Sequence, residues 1–135
     1  MLNQINNNIN ILNKALDGLW LRDKVINQNI SNANTPKYKR KMVSFEKQLR
    51  EAMINRKSKL SITHNKHLPT IKNLDQVEPR IDIDKSYSYR FDGNNVNIDM
   101  ESADLAKNAI MYNAIVNQTV NEFDKIKNLI NEGSK

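Results

Sequence analysis

Residues 2–33 read LNQINNNINILNKALDGLWLRDKVINQNISNA, and their apolar positions fall into a single register. Leu2, Ile9, Leu16 and Ile30 share one heptad position, and Ile5, Leu12, Leu19, Ile26 and Ala33 lie three residues further on; only Asp23 interrupts the first row. A 3,4 spacing held this long, without proline and with one glycine, predicts a helix of about 29 residues, roughly 43 Å at 1.5 Å per residue. Its seam is narrow, and the other faces carry Asn3, Asn7, Asn10, Asn13 and Asn27, which are mediocre helix formers. Such a stripe suits a coiled-coil partner better than a broad globular core, so the helix is expected to need one.

Thr35-Pro36 ends this helix, because the residue before a proline is pushed out of the α region and the proline has no N–H to donate. Asn32 and Asn34 at the exit tolerate a left-handed backbone and bond locally, so a fixed turn is expected there. A second long helix is predicted from Asp99, taken as its N-cap, with Glu101 and Asp104 placing negative charge on the first turns and Ile98 stapling against Ala103. Its stripe is also heptad-like: Leu105, Tyr112, Thr119 and Ile126 in one row, Ala109, Val116, Phe123 and Ile130 four residues on, ending at Glu132-Gly133. The chain therefore reads as mainly α, with terminal helices over 1–34 and 99–133 pairing as a coiled-coil-like hairpin and a mixed segment, 35–98, between them.

Within that segment Ser44 to about Arg56 carries Phe45, Leu49, Ala52 and Met53 at helical spacing behind a Ser44 cap, predicting a short helix. Arg80-Ile81-Asp82-Ile83-Asp84 alternates as a strand with one buried face would, and Leu60–Thr63 or Ser86–Phe91 is the expected partner strand of a small sheet. Asp92-Gly93-Asn94-Asn95 reads as a turn.

Composition narrows the function classes. The 135 residues fit one domain, and three Gly and three Pro are too few for a turn-rich all-β protein. There is no cysteine, so disulfides, thiolate metal sites and thiol nucleophiles are excluded together. Met1–Asn8 has neither a basic nor a continuous apolar region, so no cleavable secretory signal is expected, and no apolar run is long enough to span a bilayer. The net charge of +6 is concentrated in residues 37–59, where nine Lys and Arg stand against Glu46 and Glu51.

Candidate chemistry is sparse. His64 and His67 are the only histidines and lack further ligands at zinc spacing, so no metal site is expected from them. Asp92, Asn94, Asn97 and Asp99 resemble a calcium loop, but Asn97 and Ala103 stand where that loop needs its glycine and its bidentate Glu. No glycine-rich phosphate loop or strained serine elbow occurs, so neither cofactor nor catalytic residue is expected. The cationic stretch leaves one competing reading open: a basic coiled-coil protein that binds nucleic acid or an anionic membrane surface.

Asn29-Ile30-Ser31-Asn32-Ala33-Asn34-Thr35-Pro36-Lys37-Tyr38-Lys39, closing the first helix, resembles the signature of the flagellar rod, hook and axial proteins, Asn-Ile-Ala-Asn-x-x-Thr-Pro-Gly-Tyr. Val43-Ser44-Phe45-Glu46, and Arg90-Phe91-Asp92-Gly93-Asn94-Asn95-Val96-Asn97-Ile98-Asp99 ahead of Leu105-Ala106-Lys107-Asn108 and Tyr112, are similar to the proximal-rod members of that family. Lys37 stands where the family usually has glycine, and Asn97 where aspartate is common. The resemblance implies a non-enzymatic structural subunit of the basal-body rod, exported by the flagellar type III apparatus to a site beyond the inner membrane. Its partners would be other copies of itself and other rod and basal-body proteins, with no nucleic acid. Asn29, Asn32, Asn34, Thr35, Pro36, Tyr38, Asp92, Gly93, Asn94 and Asn95 would serve the family motif and subunit packing. The helix seams would be Ile9, Leu12, Leu16, Leu19, Ile26 and Ile30 on one side, and Leu105, Ala109, Tyr112, Val116, Phe123 and Ile126 on the other.

Overall fold

The computed structural model describes residues 2–55, 77–88 and 90–133. In chain order the elements are α1 (Leu2–Ser31), β1 (Lys41–Ser44), α2 (Glu46–Asn55), β2 (Arg80–Ile83) and α3 (Ile98–Gly133). The two terminal helices run antiparallel and pair along their length: Asn29 meets Glu101, Asn108 meets Leu19, and Ile5 lies beside Glu122. The mainly α hairpin expected from the heptads is what forms, and α1 has 30 residues.

The apolar core is small and lies where the middle segment braces the hairpin. Leu19 and Val25 of α1 pack with Val43 of β1 and Phe45, and Leu21, Leu49, Met111 and Ile115 close around them. Gly18 makes this contact possible. An added Cβ there would come within 2.6 Å of three ring carbons of Phe45, so the ring lies flat on the α1 backbone. Arg22 holds the same segment from outside: its guanidinium donates to the Val43 carbonyl at 3.2 Å, pairs with Glu46, and stands 5.0 Å from the Phe45 ring centroid.

Several local expectations change. The strand at Arg80–Ile83 forms, but its antiparallel partner is Lys41–Ser44, with Val43 opposite Ile81 and Lys41 opposite Ile83. Ser86–Ser88 and Arg90–Phe91 form no strand, and Leu60–Thr63 lies outside the described residues. β2 is exposed at all four positions, not buried on one face, because the core takes only Val43 from this ribbon. Ser44 ends β1 and does not cap α2, which starts at Glu46; the Leu49 N–H reaches the Phe45 carbonyl instead, at 2.8 Å. At α3 the cap is Asn97, whose Oδ1 accepts from the N–H groups of Asp99 at 2.9 Å and Met100 at 3.3 Å. Asp99 therefore sits inside the first turn as a favourable negative charge, and Ile98 is half-exposed.

The face of α3 that meets α1 is also unexpected. It is the row Glu101, Asn108, Ile115 and Glu122, of which the three polar members are buried. Polar residues at heptad interior positions fix register at a cost in pairing strength. The α3 side of the hairpin's interior is thus largely polar, facing the buried apolar Ile5, Leu19 and Ile26 of α1, and the apolar heptad of α3 lies to one side of it.

Candidate functional site

Two constellations follow from this arrangement: a polar joint at the base of the hairpin and an apolar flank along it. The joint is built on Asn29, which is completely buried. Its Nδ2 donates to the Lys41 carbonyl at 2.8 Å and to Glu101 Oε2 at 3.0 Å; its Oδ1 accepts from the Lys41 N–H at 3.0 Å and the Tyr38 hydroxyl at 3.3 Å. One amide thereby satisfies both backbone groups on the α1 side of Lys41, as a neighbouring strand would. Arg40 is clamped from the other helix: its Nε bonds Glu101, its Nη2 reaches Asp104 at 2.8 Å, and its backbone N–H donates to Asn95 Oδ1 at 2.7 Å. Burial raises the Tyr38 phenol above its ordinary pKa, with the Glu101 charge adding to the effect.

Asn94, also fully buried, closes the joint. Its Nδ2 faces three carbonyls just past the end of α1, those of Asn32 at 2.9 Å, Ala33 at 3.1 Å and Thr35 at 2.9 Å. The orphan acceptors of the helix end are thus met by a residue about sixty positions away as well as by Asn32, whose Nδ2 reaches the Gln28 carbonyl at 2.8 Å. Arg90 donates to the Ala33 carbonyl at 3.0 Å, and the Lys37 N–H to the Asp92 carbonyl at 2.9 Å. The Asn94 backbone N–H and then the Arg90 guanidinium hold the Asp92 carboxyl below its usual pKa. Asn95 spans to the Asp84 carbonyl at 3.2 Å and to Ser86.

The two motif segments singled out in the sequence, 29–38 and 92–95, are thus one structure. Asn34, Thr35 and Pro36 are exposed on its surface, with Thr35 Oγ1 donating to Asn32 Oδ1 at 3.2 Å. Asp92, Asn94 and Asn97, considered for calcium, act as turn and cap residues. His64 and His67 lie outside the described residues.

Lys37 adopts φ 62°, the left-handed conformation, and Gly93 beside it φ 74°. Left-handed backbone costs a non-glycine residue about 1–2 kcal/mol, partly offset by the greater unfolded-state freedom of glycine. Lys37→Gly is accordingly expected to stabilise the chain by about 0.5–1 kcal/mol, read as a higher midpoint in urea unfolding.

The flank comes from the seams. Leu19 and Ile26 are buried between the helices, while Ile9, Leu12, Leu16 and Ile30 are half-buried. On α3 Leu105, Val116 and Ile126 are half-buried, whereas Ala109, Tyr112 and Phe123 are exposed. At 3.6 residues per turn, Ala109, Val116 and Phe123 lie about a quarter turn from the inward row of α3 and Leu105 about a sixth, and Ile9 and Leu16 are offset by about a sixth of a turn in the same sense from Ile5 and Leu19 on α1. In an antiparallel pair equal offsets of the same sense point to the same side. Trp20, 61% exposed on that side of α1, shares a cavity with Ala109 and Tyr112 of α3. Leu19 and Ile26 of the α1 seam are taken up by the pairing, while Ile9 and Leu16 of α1 and Ala109, Val116 and Phe123 of α3 lie toward one side of the hairpin.

Sequence reasoning missed Arg40, Glu101, Asn108 and Gly18 as structural determinants. Arg40 read as one member of a cationic run and Glu101 as helix-start charge. The useful signal was Gly18, a glycine inside an otherwise unbroken helix, which marks a close approach.

A hairpin of terminal helices, locked at its base by a buried polar joint and apolar along one open side, defines a subunit made to pack among other helices. No family model matches the chain. Curated relatives do match, over nearly its whole length. The flagellar basal body rod protein FlgB of Borreliella burgdorferi is 35% identical over 93% of this chain and 96% of its own. The corresponding protein of Buchnera aphidicola subsp. Baizongia pistaciae is 34% identical over 96% and 98%, and that of Bacillus subtilis 32% over 90% and 92%. The chain belongs to the FlgB family of flagellar basal body rod proteins and is a structural subunit of the rod.

Proposed function

We propose that this subunit builds the proximal rod by seating its apolar flank against helices of neighbouring copies and of other axial proteins, while the joint holds the base at a fixed angle. The observation that carries this reading is the flank itself, where Ile9 and Leu16 of α1 are half-buried and Trp20 of α1 and Tyr112 and Phe123 of α3 are exposed toward one side of the hairpin. Close-packed helices resist deformation, so a shaft of such units transmits torque without any catalytic step. On this reading the chain travels through the flagellar type III export apparatus and is assembled beyond the inner membrane. Nucleic acid has no place in this reading: Arg40 is turned inward to Glu101 and Asp104, and Lys41 lies 5.8 Å from the Tyr38 ring.

Leu16→Asp and Val116→Asp each place a charge on the flank, where packing would bury it unpaired at a cost of several kcal/mol. Both variants are expected to be secreted yet absent from purified basal bodies, with cells non-motile. Motile cells with normal subunit content would remove the flank from the interface.

A further inference from the structure

The inward row of α3 ends in a second buried carboxylate, Glu122, and its surroundings differ from those of Glu101. On α3 the core that braces the hairpin extends only to Met111 and Ile115, so Glu122 lies beyond it, with the start of α1 across from it. Its side chain is 5% exposed, and each of its hydrogen-bond partners donates. Lys125 Nζ lies at 2.8 Å and Gln118 Nε2 at 3.3 Å, both on α3 itself, while the Asn8 side chain bonds it from α1. The charged groups bordering the space beside it are Lys125 and Glu132, both of α3; α1 contributes Ile5 and Asn8, neither of them charged.

This arrangement depends on the carboxylate being ionised. Protonation removes the charge that draws Lys125 and adds a hydroxyl donor among donors. The Lys125 bond, against the opposing effect of burial, holds the carboxyl below its usual pKa, with the Lys125 charge, Asn8 and Gln118 adding to the effect. A carboxyl lowered in this way stabilises the folded form above the ordinary carboxylate range, and that contribution is lost as pH falls through the lowered value. The base of the hairpin has further supports, because Asn29 and Asn94 bond backbone groups there whatever the charge on any carboxyl.

We propose that Glu122 is a charge-dependent latch: ionised, it holds the ends of α1 and α3 together, and neutralised, it lets them part while the joint keeps the base closed. Parting frees Ile5 and Leu129, the apolar residues beside the latch, to pack against other helices. The latch acts on the inner faces of the two helices and does not depend on the flank.

Because the chain has no cysteine, distances between pairs of introduced spin labels report on it directly. Asn6→Cys with Asp124→Cys reads the tip, and Gln28→Cys with Ser102→Cys reads the base, all four being exposed positions. At neutral pH both pairs are expected to give one narrow distance. Glu122→Gln, which removes the charge and keeps the shape, should broaden the tip distance and lengthen it by on the order of 10 Å, about one helix width, with the base distance unchanged. Glu122→Leu, an apolar side chain facing Ile5, should keep the tip closed. On acidification through roughly pH 5 to 3 the native tip should open before the base, and the Leu variant's tip should not. A tip that stays narrow in Glu122→Gln, a tip that opens only together with the base, or a Leu variant that opens as early as the native chain would each overturn the latch.

Discussion

Glu101→Ala should destabilise the chain by about 3–5 kcal/mol, the penalty typical of breaking a buried ion pair by removing one partner. Glu101 is completely buried and binds both halves of the joint, taking the Arg40 Nε on one oxygen and the Asn29 Nδ2, at 3.0 Å, on the other. Without it the Arg40 guanidinium, whose side chain is only 18% exposed, keeps a single carboxylate partner, the half-exposed Asp104. Asn29 would still hold Lys41, so the loss should appear as separation of α3 from the base and not as loss of α1. A chain of this size has about 5–15 kcal/mol in total, so the effect is a large part of it. Trp20 is the only tryptophan and sits beside α3, so its fluorescence in urea unfolding reads the change directly. Glu101→Gln, which keeps the shape and one acceptor, should lose less.

The second large effect is at Gly18 and Phe45. Phe45→Ala empties the centre of the small core and should cost about 3–5 kcal/mol. Alanine in place of a glycine inside a helix ordinarily gains about 1 kcal/mol, but here the new Cβ meets the Phe45 ring at 2.6 Å. Gly18→Ala is therefore expected to destabilise, by about 1–3 kcal/mol as for other overpacked cores, and Gly18→Leu by more. The clash disappears when the ring does. In the Phe45→Ala background Gly18→Ala should be neutral or stabilising, a non-additivity that a double-mutant cycle measures. Additive effects would show that ring and helix are not in contact.

Much of this fold was legible in the sequence, and the parts that were not share a cause. The heptads of 2–33 and 105–130 give the two long helices, because a 3,4 period kept over many turns has no other low-energy reading. What the period cannot give is which side of each helix its own partner takes. Glu101, Asn108 and Glu122 look like solvent-facing residues in a linear reading, and they become interior only because each has a specific partner or place in the hairpin. β1 was missed because Lys-Met-Val-Ser is too short and too basic at its start to signal a strand. Its pairing is with a segment about forty residues away, and Asn29 and Arg22 satisfy its other edge. The motif residues were found as a resemblance, but their work was hidden: Asn94 caps a helix on the far side of the sequence, which no local spacing reveals. Asn97 displaced Asp99 as cap for a smaller reason, since both are good cap residues two positions apart and the turn through Asn94 and Val96 decides between them.

The central claim is that the side of the hairpin open in the single chain is covered in the rod. Leu16→Cys puts the only thiol of the chain on that side. Maleimide labelling of this variant, compared between the purified single chain and intact basal bodies, reads the claim directly. Ready labelling of the free chain and strong protection in the basal body is the predicted result, and equal labelling in the two would contradict it.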